Sequence, residues 1–322
     1  MKVIIQIPCF NESKTLAATI ADLPVSLEGV DTVEYLVIDD GSKDNTSELA
    51  RELGVHHVVR HRRNRGLASA FRTGLNHSLL NGADIIVNTD GDNQYAGGDV
   101  QRLVQPIIDG EADIVIGDRQ VQKIAHFSPV KKFISRLGSA VVRRASKTDV
   151  PDAVSGFRAI SRDAALKIHI VSSFSYTIEM LLQAGRKQMS IVSVPVGTNE
   201  KLRESRLFKS IPQFLAFSGL TLMRIYAMLT PLRFFVTVGL FFGIVGLFPI
   251  LRFFYFYLVD AGSGHIQSLI LGGVLLVIGV LISMIGVVAD LISFNRQLIE
   301  STLEKVKEIE TQMKHTSESE KK

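Results

Sequence analysis

A chain of 322 residues, 46% of them hydrophobic and with a mean hydropathy of +0.23, is long for one compact domain and apolar for a soluble one. Its net charge of +4 suits a surface that meets anionic lipid or phosphates, and with no recognisable module in the sequence it argues against nucleic-acid binding. Cys9 is the only cysteine, which excludes an internal disulfide and fits a reducing compartment.

The sequence opens on Lys2 and a strand-like run without a leader pattern, so no signal peptide is expected. That first strand, over 3–7, ends in Pro8, Cys9, Phe10, Asn11 and Glu12, and a helix is expected over 13–21. A second strand over 34–38 ends in Asp39, Asp40, Gly41 and Ser42; the helix after it, over 45–53, should open with a capping box of Asn45 and Glu48. After a short strand over 57–60, the cluster His61, Arg62, Arg63, Asn64 and Arg65 reads as a solvated basic loop that could screen a diphosphate. His56 and His57 lack a partner at metal-ligand spacing and read as structural. Helical spacing then runs over 67–80.

The fourth strand, over 85–89, stops abruptly at two carboxylates one residue apart, Asp90 and Asp92. On an extended strand alternate residues point to one side, which predicts that the two aspartates share a face, with Gln94 adding a neutral oxygen. Hard oxygen ligands of this kind suit Mg²⁺ or Mn²⁺, held by one or two carboxylates while substrate phosphates complete the shell. The competing reading is a plain turn of Asp, Gly and Asn. Strands over 113–116 and 190–196 complete an alternation of strands and helices, which implies an α/β domain with a largely parallel sheet. Ligands in such sheets bind at the carboxyl ends of the strands, where each of these polar clusters falls.

The chain changes character over 199–206, the expected junction with a membrane. Over 210–229, Ile211, Phe214, Leu215, Leu222, Ile225 and Leu229 recur at helical spacing between Pro212 and Pro231, as in a helix lying in the lipid interface. The runs over 234–259 and 266–289 are almost wholly apolar, and each exceeds the roughly 20 residues that span a bilayer. A short loop over 260–265 makes them a hairpin; Arg252 and the aromatic residues after it anchor the first helix at the headgroups. Arg203, Arg206, Lys209, Arg224 and Arg233 before the hairpin, and Arg296, Lys305 and Lys307 after it, place both flanks in the cytoplasm. The tail over 291–313 is amphipathic, and 314–322 is expected to be disordered.

No GxGxxG turn and no P-loop is present. Carboxylates at the first two strand ends can accept hydrogen bonds from a base or ribose, while a metal at Asp90 and Asp92 neutralises a diphosphate. Together they describe a nucleoside-diphosphate site without a glycine cradle. The ordered pieces 8–12, 39–42, Asn64 to Ala68 with Arg72 and Gly74, 90–94, 117–119, 155–158 and 203–207, followed by interface and membrane helices, resemble a family 2 glycosyltransferase with the GT-A fold. Within that family it resembles dolichyl-phosphate mannose synthases and bacterial polyprenyl-phosphate glucosyltransferases. It implies a Rossmann-like, mostly parallel GT-A domain over 1–208, amphipathic interface helices over 209–231, two transmembrane helices over 232–290 and a cytoplasmic tail over 291–322.

The resemblance further implies that Pro8, Glu12 and Asp40 line the nucleotide pocket with Asp39 near the base or ribose, and that Arg72 and Gly91 belong to the nucleotide-sugar site. Asp90, Asp92 and Gln94 match the positions that hold Mg²⁺ or Mn²⁺; many relatives carry Ala where this chain has Gly91. Arg119, Arg158 and Arg203 match basic residues that receive a lipid phosphate, Arg206 assists, and Asp152 resembles an active-site aspartate, so that Asp92, Asp152, Arg119 and Arg158 form the expected catalytic set. The implied reaction is inverting transfer of one sugar from a nucleotide-diphosphate sugar, UDP-glucose, UDP-N-acetylglucosamine or GDP-mannose, to dolichyl or undecaprenyl phosphate. A processive polysaccharide synthase would carry a Trp-containing acceptor motif, and this chain has no Trp. A nucleotidyltransferase would have no use for the hairpin, and intact aspartates argue against an inactive scaffold. An integral protein of the cell membrane is expected, bound to the lipid bilayer and forming a homo-oligomer through its membrane helices.

Overall fold

The computed structural model describes residues 1–120, 139–140, 142–144, 146, 148–170, 176–199, 223, 227, 230–259 and 265–319. They fall into two units, an α/β unit of Met1–Leu215 with Leu303–Lys322, and a helical unit of Ala216–Thr302. In the first, seven strands, β1 (Lys2–Cys9), β2 (Thr32–Asp39), β3 (His57–Arg60), β4 (Ile85–Asn88), β5 (Ile114–Asp118), β6 (Arg158–Ser161) and β7 (Ile191–Pro195), form one sheet in the order β3-β2-β1-β4-β6-β5-β7. All pairs are parallel except those of β6, which runs antiparallel to β4 and to β5.

β1 is buried from Val3 to Cys9, as expected of a central strand covered on both faces. Val3, Ile5 and Ile7 point into a core with Leu16, Ala50, Leu103 and Val104, contributed by α1 (Leu16–Asp22), α2 (Thr46–Glu52) and α4 (Val100–Ile108). The opposite face carries α3 (Leu67–Leu80), whose Gly74 lies against Gln6 and Ile38 and whose Phe71 stacks on Tyr176 with ring centres 4.1 Å apart. Tyr176 opens α6 (Tyr176–Arg186), which follows the short α5 (Arg162–Lys167). Each fully buried Ile, Leu or Val in these layers contributes about 1.5–3 kcal/mol of transfer free energy. The register Cys9↔Asp39 between β1 and β2, with Gln6↔Asn88 between β1 and β4, brings the segments after β1, β2 and β4 to one edge of the sheet.

Three expectations are corrected. β4 ends at Asn88, so Asp90 and Asp92 sit on a turn with Asn93 at φ 55°, and strand alternation does not decide where they point. Asn45 makes no side-chain cap; Asp44 does this work, its Oδ1 accepting from the Thr46 N–H at 3.2 Å and from the Thr46 hydroxyl. The tail is helical to Ser319 rather than disordered from 314, as part of one helix, α8 (Ile266–Ser319).

The helical unit pairs α7 (Pro231–Val259) with the first part of α8. Both are long and apolar enough to cross a membrane. Phe241, Phe248 and Leu258 are 63%, 74% and 81% exposed, which excludes the core of a soluble domain and suits a lipid surround. Small residues bring the two backbones together: a Cβ on Gly246 would lie 2.9 Å from the Gly272 carbonyl, and one on Gly279 would lie 2.6 Å from that of Gly239. The expected interface helix over 209–231 falls almost wholly outside the described residues.

Candidate active site

The loops after β1 and β2 are tied together at the carboxyl edge of the sheet. The Asn11 N–H donates to Ser42 Oγ at 2.9 Å, the Lys43 N–H to Asn11 Oδ1 at 2.8 Å and the Glu12 N–H to Thr46 Oγ1 at 3.0 Å. Asp39 is wholly buried; its carboxylate accepts from the Ser42 N–H at 2.8 Å and from the Ser47 hydroxyl, and Arg60 Nε lies 3.4 Å away. Asp40 receives the Arg65 and Gly66 N–H groups at 2.9 and 2.7 Å, with His61 Nδ1 2.7 Å from its Oδ1 and the Thr73 hydroxyl 3.0 Å from His61 Nε2. The basic loop after β3 is therefore folded onto Asp40 rather than solvated throughout, since His61 itself is buried.

Glu12 connects this corner to the aspartate turn through Thr15. The Thr15 hydroxyl stands 2.9 Å from Glu12 Oε2 and 2.8 Å from the Gly91 carbonyl. Gly91 itself is packed so closely that a Cβ there would lie 2.8 Å from Cys9 Sγ and 3.5 Å from the Pro8 carbonyl. Asp90, Asp92 and Gln94 are all half-buried, and Asp92 Oδ1 accepts from the Gln94 N–H at 3.3 Å. Burial pushes the Cys9 thiol well above its usual pKa, and the negative fields of Glu12, Asp39 and Asp90 push it further.

Among the described residues no three His, Cys, Asp or Glu side chains converge as a metal cage. Two carboxylates with a neutral amide fit a cation that keeps most of its shell for water and ligand oxygens, the habit of Mg²⁺, and its surroundings carry the negative charge such an ion would offset.

Beside this turn lies a second cluster. Arg119, just beyond β5, makes a bidentate pair with Asp152, Nε to Oδ2 at 2.7 Å and Nη2 to Oδ1 at 3.0 Å, with the side chains 14% and 2% exposed. Both Asp152 oxygens are thus engaged in fixing one guanidinium. Arg158 differs from what its motif suggests: it is 0% exposed and donates to the carbonyls of Ser155, Thr177 and Ala153 at 2.7, 2.9 and 2.8 Å. Burial lowers its pKa to about 10, against the pull of Tyr176 and Asp152. Gly156, in the loop these bonds shape, receives Asp90 so closely that a Cβ would stand 3.2 Å from both carboxylate oxygens and 3.1 Å from Tyr176 Oη. Its N–H donates to Tyr95 Oη at 2.9 Å, and Asn88 Nδ2 donates to its carbonyl at 2.8 Å. Burial drives the Tyr95 pKa up to about 12, so both it and Tyr176, raised for the same reason, are neutral phenols beside Asp90.

The structure thus gathers Pro8, Glu12, Asp39, Asp40, Asp90, Gly91, Asp92, Gln94, Arg119 and Asp152 along one sheet edge. Arg72 instead donates from α3 to the Ile170 carbonyl at 3.2 Å, and Arg203 and Arg206 lie outside the described residues. Sequence reasoning missed Thr15 and Tyr95, and quoted Gly156 within a motif without giving it a part. Only Gly156 carried a signal, a glycine within a polar motif where a backbone must pass close to a side chain.

The glycosyl transferase family 2 model matches residues 4–168, about half of the chain. The UDP-N-acetylglucosamine–dolichyl-phosphate N-acetylglucosaminyltransferase of Methanococcus voltae is 29% identical over 215 residues, covering 60% of this chain and 83% of that protein. The undecaprenyl-phosphate mannosyltransferase of Micrococcus luteus is 29% identical over 218 residues, covering 64% and 88%. Among solved structures, glucosyl-3-phosphoglycerate synthase from Mycobacterium tuberculosis in complex with Mn²⁺, UDP-glucose and phosphoglyceric acid superimposes with a TM-score of 0.55 at 23% identity, covering 70% of this chain and 79% of that one. Its likeness agrees in fold with the mostly parallel, Rossmann-like sheet seen here. The chain belongs to glycosyl transferase family 2 and folds as a GT-A enzyme.

Proposed function

We propose that this enzyme transfers a single sugar from a nucleotide-diphosphate sugar to a polyprenyl phosphate at the cytoplasmic membrane surface, with inversion at the anomeric carbon. The observation that carries the reading is a partly buried guanidinium, Arg119, locked by Asp152 and lying in the field of Asp90. One site therefore offers carboxylates for a cation-bound donor diphosphate and a fixed cation for an acceptor phosphate. The relatives that act on dolichyl and undecaprenyl phosphate, and the apolar hairpin, support the lipid as acceptor.

Asp90, Asp92 and Gln94 would hold Mg²⁺ or Mn²⁺, which when bound supplies Lewis-acid neutralisation of the departing diphosphate. Pro8, Glu12, Asp39 and Asp40 set the two loops against which base and ribose rest. Arg119 orients the acceptor phosphate with the N–H groups that Asp152 does not take, joined by Arg203 and Arg206 from the junction. A lipid monophosphate is already an anionic nucleophile at neutral pH, so alignment replaces a strong base. Asp152 is accordingly a positioning residue for Arg119. Arg158, without an exposed atom, shapes the loop of Asp152 and Gly156 rather than touching lipid.

Purified protein is incubated with Mn²⁺, a panel of UDP- and GDP-sugars, and either polyprenyl phosphate or the corresponding polyprenol. Sugar appearing on the phosphate lipid alone is the expected result. Transfer to polyprenol at equal rate, or no lipid-linked sugar from any donor, overturns the proposal.

A further inference from the structure

We infer that Tyr95 and Asn88 are positioning residues for the cation turn: together they clasp Gly156 by its N–H and its carbonyl, and Gly156 is the floor on which the Asp90 carboxylate rests. This rests on Asp90 as a cation ligand, the role proposed above. Asn88 ends β4 opposite Arg158 of β6, so the segment that leads into β6 passes the start of the aspartate turn. There Asn88 Nδ2 donates to the Gly156 carbonyl at 2.8 Å, and the Gly156 N–H donates to Tyr95 Oη at 2.9 Å. Both main-chain polar groups of one residue are therefore taken by side chains that flank the turn, one shortly before Asp90 and one shortly after it.

Neither grip is loose. Asn88 is wholly buried, its Oδ1 accepts from Gln6 Nε2 at 2.9 Å, and its Nδ2 also reaches Tyr176 Oη at 3.3 Å, so the amide has one orientation that satisfies all its neighbours. Tyr95 is buried and stacks on Phe157 with ring centres 5.0 Å apart, which holds its hydroxyl in place. The space between the two grips is full, since a Cβ on Gly156 would crowd both Asp90 oxygens at 3.2 Å and Tyr176 Oη at 3.1 Å. A shift of Gly156 toward the turn must displace the Asp90 carboxylate, and a shift away leaves it unsupported. Removing a group that stands behind a metal ligand changes metal affinity by about 10- to 100-fold.

The test measures Mn²⁺ affinity by electron paramagnetic resonance, in the presence of UDP and separately of GDP, and needs no acceptor. Tyr95→Phe keeps the stacked ring and removes only the oxygen that accepts from Gly156. It is expected to bind Mn²⁺ about 10-fold more weakly than wild type, and to need about 10-fold more Mn²⁺ for half-maximal sugar transfer while regaining most of the wild-type rate at saturation. Gly156→Ala drives a methyl against Asp90 and should weaken Mn²⁺ binding to a similar degree. The control is Leu79→Ala, buried near the end of α3 at the amino edge of the sheet, where the Asp84 N–H meets the Lys2 carbonyl. It should melt at least as far below wild type as Tyr95→Phe does and keep wild-type Mn²⁺ affinity. Wild-type affinity in Tyr95→Phe or in Gly156→Ala overturns the clasp, as does a loss that Leu79→Ala shares. A transfer rate that excess Mn²⁺ does not restore in Tyr95→Phe overturns it too, by assigning Tyr95 to the substrate. Asp90→Ala separates this from the role of Asp90 itself: if that variant binds Mn²⁺ as wild type does, the ligand reading fails and the clasp with it, whereas Mn²⁺ lost in Asp90→Ala and kept in Tyr95→Phe overturns the clasp alone.

Discussion

Gly91→Ala, which installs the residue many family members carry, is expected to damage this enzyme unless Cys9 is changed with it. The added Cβ would lie 2.8 Å from Cys9 Sγ, whereas unstrained heavy atoms keep about 3.5–4 Å, so roughly 1 Å of overlap must be relieved. Neither partner has room to move. The thiol is 2% exposed and within 3.4 Å of the Ile7 carbonyl, and the new methyl would also face Glu12 Cγ at 3.4 Å and the Pro8 carbonyl at 3.5 Å. Overpacking of this kind costs about 1–3 kcal/mol. The turn can recover part of it only by shifting outward, which separates Asp90 and Asp92 from Glu12 and should weaken Mn²⁺ binding about 10-fold, on the scale of disturbed ligand support. Cys9→Ala alone leaves a small cavity at about 1 kcal/mol. The double variant should then be more stable than Gly91→Ala by about 1 kcal/mol or more, a favourable coupling between touching residues. Unfolding midpoints in detergent and Mn²⁺ titrations of the four proteins measure it. Gly91→Ala as stable as wild type, or a double variant no better than Gly91→Ala, would refute the packing argument.

Other outcomes follow from the same geometry. Asp152→Asn replaces one acceptor of the Arg119 pair with a donor, and should lower kcat about 100-fold, as loss of alignment does, while Mn²⁺ binding with nucleoside diphosphate stays unchanged; an equal loss in both would make Asp152 a donor-site residue. Arg158→Ala strands three buried carbonyls and should destabilise the α/β unit by more than about 3 kcal/mol, read as loss of a folded melting transition, whereas an exposed phosphate-binding arginine would lose activity and keep its stability. Asp44→Ala removes the true cap of α2 at about 1 kcal/mol, and Asn45→Ala should cost far less. Burial raises the Asp44 pKa, yet hydrogen bonds from Thr46 and Ser13 bring it below the carboxylate norm. Its contribution is therefore present above the unfolded value of about 3.9 and fades as pH falls through the lowered one, so Asp44→Ala and wild type should converge in melting temperature at acid pH.

How far the sequence disclosed this molecule depended on whether the signal was local. β1, β2, β3, β4 and α3 were legible because long β-branched or helically spaced runs create them, and both ends of α3 agree with its periodicity. β6 was not, because four residues of Arg, Ala, Ile and Ser are held by β4 and β5 on either side rather than by their own pattern. The aspartate turn was found for its chemistry and misread in its geometry, since nothing local says that β4 stops at Asn88. Arg158 was the hardest to read. Arginine is so rarely buried whole that its sequence context suggests a ligand contact, and only the convergence of the Ala153, Ser155 and Thr177 carbonyls on its guanidinium assigns it to the interior. Thr15 acts through a partner far along the chain, at Gly91, which no spacing rule reaches.

The central claim is that one sugar passes to a lipid phosphate across a cation held by Asp90 and Asp92. It is tested most directly by mass spectrometry of the lipid fraction after polyprenyl phosphate, Mn²⁺ and each nucleotide sugar are incubated with wild-type protein or Asp92→Ala. The expected product is a lipid heavier by a single sugar residue with wild type, absent with Asp92→Ala although that protein remains folded. A ladder of several sugars, or near-normal product from Asp92→Ala, would contradict it.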